Sequence, residues 1–341
     1  VRDFETKAIE ARAWESANKL VRSAGDISRA FSLCIRSLFQ DGRTVANSRF
    51  TFMTGYHLDR LLRSPSVVSH LYFAARTYRP KQLSELKECT PRNLAELFNH
   101  GELAALLMTM YMHRHIGRWL DDEDREPLSM KLQLYMDLGL PLGETIPSLG
   151  SMRALLIGAG RYLGWGVLAL RDPKGLKKYR LDAKVKGKPY DIGAEMLQWG
   201  TSHVHIGATI FQLFGFGVVT AQGYQSAMLA PAEQPLSDEA LRFRVAAQWL
   251  DALILTGDVP QGSLGDDFIL SDENTDSFVQ RVQALLDSGS EFSWLSKRHG
   301  DIGPEKTSEL LFTPAPAVTR RGRRAKKTES LDQEVDGSEE K

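Results

Sequence analysis

The stretch Met152–Leu170, MRALLIGAGRYLGWGVLAL, decides how the rest of the chain is read. It is very apolar, and its spacing is helical rather than alternating. Yet it holds Gly158, Gly160, Gly164 and Gly166. Each glycine costs a helix about 1 kcal/mol against alanine. A helix that keeps four of them is expected to offset that cost by packing closely against another backbone.

The same period runs outward in both directions. Phe4, Ala8, Ala11, Trp14, Ala17 and Val21 share one helix face. Asp26 is placed to cap a second helix, with Phe31, Ile35, Leu38 and Phe39 inward and Asp41-Gly42 as its end. Residues 44–63 read as one or two short helices. Ser64-Pro65 is a start signal for SVVSHLYFAARTYR, which stops before Pro80. Thr90-Pro91 opens another helix, and Gly101–Leu120 is long and apolar. Leu128–Leu138 is helical, with GLPLGETIPSLG as a Gly/Pro-rich connection after it. Beyond the opening stretch, Asp191–Trp199, Ser202–Phe214 and Val218–Met228 are short helices separated by glycines. Asp238–Leu255 is amphipathic, 256–275 reads as loop, and helices are expected near 276–287 and 291–298.

The expected class is all-α, a multi-helix bundle. An N-terminal helical segment (1–60) precedes the main helical domain (61–300), and 301–341 is a linker and disordered tail. That tail holds RRGRRAKK (Arg320–Lys327), followed by TESLDQEVDGSEEK with six acidic residues.

The composition narrows the function classes. The chain has 341 residues, 42% hydrophobic, enough for a substantial core. Its 43 basic and 43 acidic side chains remove the crude argument for a polyanion partner. Two cysteines make no disulfide framework, and the opening VRDFETKAIEARAW has no apolar signal core, which together favour a cytoplasmic chain. The most apolar run, Gly207–Ala221, is interrupted by Gln212 and falls short of the roughly 18 residues of a membrane span, so no membrane is expected.

Several residue groups invite chemistry. His113 and His115 form an HxH pair, as do His203 and His205. On a helix such residues point about 200° apart and do not grip one ion. The remaining route to a metal is convergence of His113, His115, His203 and Asp251 from different helices. Asp121, Asp122, Glu123, Asp124 and Glu126 read as solvated surface that starts outside the preceding helix, because negative charge at a helix C-terminus is unfavourable. Residues 171–190 hold eight Lys/Arg against two Asp. Lys174, Lys177, Lys178, Arg180, Lys184, Lys186 and Lys188 are candidates for an anion or a partner, with Tyr179 and Tyr190 as stacking surfaces if that partner is a nucleic acid.

Three stretches taken together resemble the HDOD family, output-domain relatives of the HD metal phosphohydrolases. They are Met152–Leu170, then EMLQWGTSHVHIGATIFQLFGFG (Glu195–Gly217), then ALRFRVAAQWLDALILTG (Ala240–Gly257). The second matches best, at Glu195, Gly200, His203, Gly207, Ala208 and Gly215. Ser64–Arg79 resembles the family's opening helix, so the likeness spans roughly residues 60–260. The HD pattern needs a His, a His-Asp pair and a later Asp. The resemblance puts Ile157 and Gly158 at the His-Asp pair, Leu128 near the earlier His, and only Asp251 at the last position. A catalytic metal needs about three protein ligands. The implied role is a catalytically silent, protein-contacting signalling module of bacterial type without cofactor or bound metal, in which Glu195, His203 and Gly207 are structural. The alternatives are a divergent phosphohydrolase and a regulatory nucleic-acid-associated protein using the basic patch and tail.

Overall fold

The computed structural model describes residues 2–44, 50–231, 234–255, 276, 278–280, 282–284, 294–297 and 299–302. The expected loop 256–275, the remaining parts of the helices expected near 276–287 and 291–298, and the tail beyond 302 lie outside these residues; of those two expected helices, 276, 278–280 and 282–284 are helical, while 294–296 form a turn. The protein is all-α, with no strand among the described residues. The helices are α1 (Arg2–Ser23), α2 (Arg29–Thr44), α3 (Phe52–Leu62), α4 (Pro65–Tyr78), α5 (Pro80–Ser84), α6 (Pro91–Glu96), α7 (His100–Gly117), α8 (Asp122–Thr145), α9 (Ser151–Arg171), α10 (Pro173–Val185), α11 (Ile192–Trp199), α12 (His203–Phe214), α13 (Gly217–Leu229) and α14 (Asp238–Leu255).

The opening stretch forms α9, the axis of the bundle. It packs against α8, α7, α12, α14 and α10, and is buried from Ala154 to Ala169. A helix apolar on all sides is stable only inside a core. Its glycines are what let neighbours in. A Cβ on Gly164 would sit 2.3 Å from the carbonyl oxygen of His203, and one on Gly207 would sit 2.5 Å from that of Gly160. Helices α9 and α12 therefore cross backbone to backbone, as the four glycines implied.

The N-terminal helices join this core. Ala17 and Val21 of α1 and Cys34, Ile35 and Leu38 of α2 belong to the same buried cluster as α9. The expected α1 face holds at Trp14, Ala17 and Val21, which meet the core, but Ala11 is exposed and Ala13 is buried in its place.

Three boundaries differ from the sequence reading. Helix α2 continues through Asp41-Gly42 to Thr44, because Asp41 accepts hydrogen bonds from the Thr51 amide (2.9 Å) and hydroxyl (3.1 Å) rather than ending the helix. Helix α8 runs through Gly139, Pro141 and Gly143 to Thr145. A Cβ on Gly143 would lie 2.3 Å from Ser151 Cα, so a residue read as a breaker is a contact point for the start of α9. The acidic cluster opens α8: Asp121 is its N-cap, and Asp122, Glu123 and Asp124 fill its first turn, where the helix dipole favours negative charge.

Candidate functional site

The Glu195–Gly217 motif folds into a buried polar network at the α9–α11–α12 junction. Asp191 caps α11 by accepting from the Ala194 amide, Gly200 ends it at φ 67°, and Ser202 caps α12. This places Glu195, fully buried, under the first turn of α12. Its carboxylate accepts from Trp165 Nε1 (3.1 Å), Tyr179 Oη (2.6 Å), the His203 amide (2.7 Å) and His203 Nδ1 (2.8 Å). Burial alone would push the Glu195 carboxyl up. The His203 charge and these hydrogen bonds outweigh burial and hold it below the usual carboxylate range. His203 stacks near Trp165, with ring centres 4.5 Å apart, and its Nε2 is buried without a hydrogen-bond partner. Gly207 and Ala208 are buried one turn on, and Gly215 closes α12 at φ 93°.

Asp251, from α14, enters the same region one turn earlier on α9, at Arg161, four residues before Trp165. Arg161 grips it with Nη1 at 2.5 Å from Oδ1 and Nη2 at 3.2 Å from Oδ2. Tyr135 Oη donates to Asp251 (2.5 Å) and accepts from Arg161 (2.9 Å). Arg161 is 2% exposed, and its guanidinium also faces the rings of Tyr135 and Tyr190. Burial opposes the guanidinium charge, and Asp251 more than restores it. Ile157 and Gly158 are interior: a Cβ on Gly158 would lie 2.4 Å from Tyr135 Cβ.

The other histidines go their own ways. His205 shares a hydrogen bond with Ser202 (2.7 Å) and donates to Glu10 of α1 (3.2 Å), opposite to the partners of His203. Both are fully buried, in the first turn of α12. His115 donates to the Ala24 carbonyl (2.7 Å). His113 meets Ser129 Oγ (2.7 Å), and burial, with neighbouring cations second, pushes it down to about 4, a poor match for general-base work at neutral pH. Thus His113, His115, His203 and Asp251 have four separate partners. No three His, Cys, Asp or Glu side chains gather as a cation's ligand set among the described residues.

The basic patch is the amphipathic helix α10 and the turn after it. Leu176, Tyr179 and Ala183 face inward, while Lys174, Lys177, Lys178, Arg180, Lys184, Lys186 and Lys188 are exposed. The patch is not segregated from the acidic cluster, since Lys177 bridges to Glu123 (2.9 Å) and Asp124 (3.7 Å). Lys186 and Lys188 approach Asp191, at 4.0 and 3.7 Å. Tyr179 is not a stacking surface: it is buried with its hydroxyl on Glu195. Tyr190 packs against His203 and Arg161. Both aromatics expected to serve a nucleic acid are thereby occupied by the fold.

Glu195, His203 and Asp251 stood out in the sequence; Arg161, Trp165 and Tyr135 did not, and Tyr179 stood out for a different role. The signal for Arg161 was present. A charge in the middle of a very apolar helix is too costly to bury unpaired, so it demands a carboxylate. No family model, curated protein or solved structure matches the chain. No described helix is long and apolar enough to cross a membrane.

Proposed function

We propose that the chain is a non-catalytic, HDOD-like regulatory scaffold that acts through protein contacts. The observation that carries this reading is the Arg161–Asp251 pair. The one carboxylate left at an HD ligand position is held by a buried guanidinium. A divalent cation there would sit beside a fixed positive charge, and repulsion would oppose its binding. The other motif residues support the same reading, since Glu195 spends its carboxylate on holding α11, α12 and α9 together. Contact with partners falls to the exposed surface, above all the cationic face of α10. There Leu181 and Val185 stand exposed among the lysines.

The experiment has two arms. Full-length protein is dialysed against Mn²⁺, Fe²⁺ or Zn²⁺, analysed for retained metal, and assayed on a phosphodiester such as bis(p-nitrophenyl) phosphate. The reading expects no stoichiometric metal and no hydrolysis. One or two ions per chain, with activity abolished by Asp251→Asn, would overturn it. In the second arm, cross-linking in the native host is compared for the wild type and a Lys178→Glu/Arg180→Glu/Lys184→Glu variant. A specific protein partner lost in the variant supports a scaffold acting through α10. An unchanged cross-link pattern removes α10 from the proposal.

A further inference from the structure

A second site lies away from the motif network. The first turns of α7, α9 and α13 meet the end of α2 around a cleft of about 690 Å³. That is the size of a small-molecule pocket. Phe39, Met152 and Phe216 give it an apolar wall, and Arg43, Arg153 and His100 bring polar groups to it.

The start of α13 is built unlike that of a capped helix. Its N-cap position is Phe216, which offers no side-chain acceptor, and its first turn contains no acid. Gly217, Val218, Val219 and Thr220 all line the cleft. The leading amides of a helix carry partial positive charge and lack partners within the helix. Helix α9, whose first-turn residues Met152 and Arg153 also line the cleft, likewise has no side-chain cap at Gly150. By contrast α7 satisfies its own start, with Asn99 and Glu102 in a capping box.

Independent signs point the same way. His100 is 5% exposed, lines the cleft, and holds a buried Nε2 with no hydrogen-bond partner. Arg43 is exposed at the rim, 5.9 Å over the Phe39 ring, and forms no ion pair among the described residues. The one carboxylate among the described lining residues, Glu239, is pinned by Arg153 through contacts of 2.6 and 2.9 Å, so its charge is matched. The surplus in the cleft is therefore positive: one guanidinium and the amide ends of two helices beside an aromatic wall.

We infer that this cleft binds a small organic phosphate of the nucleotide type, with its phosphate at the start of α13 near Arg43 and its flat apolar body against Phe39, Met152 and Phe216. Backbone amides at a helix start are a general solution for phosphate, and the aromatic wall supplies what inorganic phosphate does not use.

Isothermal titration of the full chain with ATP and GTP tests this, with inorganic phosphate, adenosine and guanosine as controls. At least one nucleotide is expected to bind saturably at one per chain and to raise Tm. The nucleosides are expected not to bind, and phosphate alone to bind more weakly. Arg43→Ala removes one charged contact and is expected to weaken nucleotide binding by about tenfold or more. Val218→Glu puts a carboxylate into the exposed first turn and is expected to abolish binding. Tm without ligand reports that both variants fold. Absence of saturable binding at millimolar nucleotide overturns the inference. So does nucleotide binding no tighter than that of phosphate, or nucleotide binding untouched in both folded variants.

Discussion

Helices α10 and α12 carry the two polar groupings that drew most attention in the sequence, and the fold uses them in opposite ways. On α12, His203 and His205 turn inward and find carboxylates on α11 and α1. On α10, seven cations in the helix and its following turn face solvent, and Lys174, Lys178, Arg180 and Lys184 make no ion pair among the described residues. A conspicuous polar motif is thus no guide to where a protein meets other molecules. Burial sorts the residues: those inside hold helices together, and those outside are available to partners.

The comparison breaks most visibly if the inward network is not structural. Glu195→Ala removes the acceptor shared by Trp165, Tyr179 and His203. Removing one partner of a buried charged pair typically costs about 3–5 kcal/mol. Chemical unfolding is expected to show a loss of that size, and a loss below about 1 kcal/mol would place Glu195 among the surface-like residues. The acid limb gives a second reading of the same residue. Its folded-state pKa is depressed, so its contribution is present above the ordinary carboxylate range and is lost as pH falls through and below it. Glu195→Gln is expected to be less stable at neutral pH and to lose less on acidification than the wild type.

A smaller effect tests the helix crossing beneath that network. Gly207→Ala would put a methyl group 2.5 Å from the Gly160 carbonyl, so α9 and α12 must move apart. Overpacking of this kind costs about 1–3 kcal/mol. Alanine is otherwise the better helix former, so a stabilised variant would show that the two helices do not touch as described.

What the sequence disclosed and what it withheld follow one physical line. Helical period is local, so α9, α12 and α14 were legible from their own residues. The glycines of α9 also announced their backbone contact, because a run of helix-weakening residues is tolerated only when something gains from the missing side chains. Pairings across the bundle were not legible. Arg161 and Asp251 are 90 positions apart, and nothing local to either names the other. The same blindness misread Gly139 and Gly143 as breakers, since their reason for being glycine lies on α9. Tyr179 looked like an exposed aromatic among lysines because α10 alone does not say which face meets Glu195. The polar residues of the Glu195–Gly217 stretch were readable by type and order. Whether their partners were ligands or structural props depended on Arg161, Trp165 and Tyr179, which only tertiary packing brings together.

The smallest stability effect belongs to α10, and its smallness is what sharpens the contrast. Lys178, Arg180 and Lys184 are exposed and make no ion pair among the described residues, so replacing each with Glu removes no packing. Surface substitutions of this kind stay within about 0.5 kcal/mol. Circular-dichroism melts of the triple variant are therefore expected to overlie those of the wild type, while Glu195→Ala melts earlier. Lys177→Ala, which breaks the bridges to Glu123 and Asp124, is expected to cost little more, because Lys177 and Glu123 stand in solvent that screens them and the half-buried Asp124 lies farther off, at 3.7 Å. A triple variant that melts much earlier would mean that the α10 cations stabilise the fold, and the division between inward structure and outward contact would then fail at the helix on which it most depends.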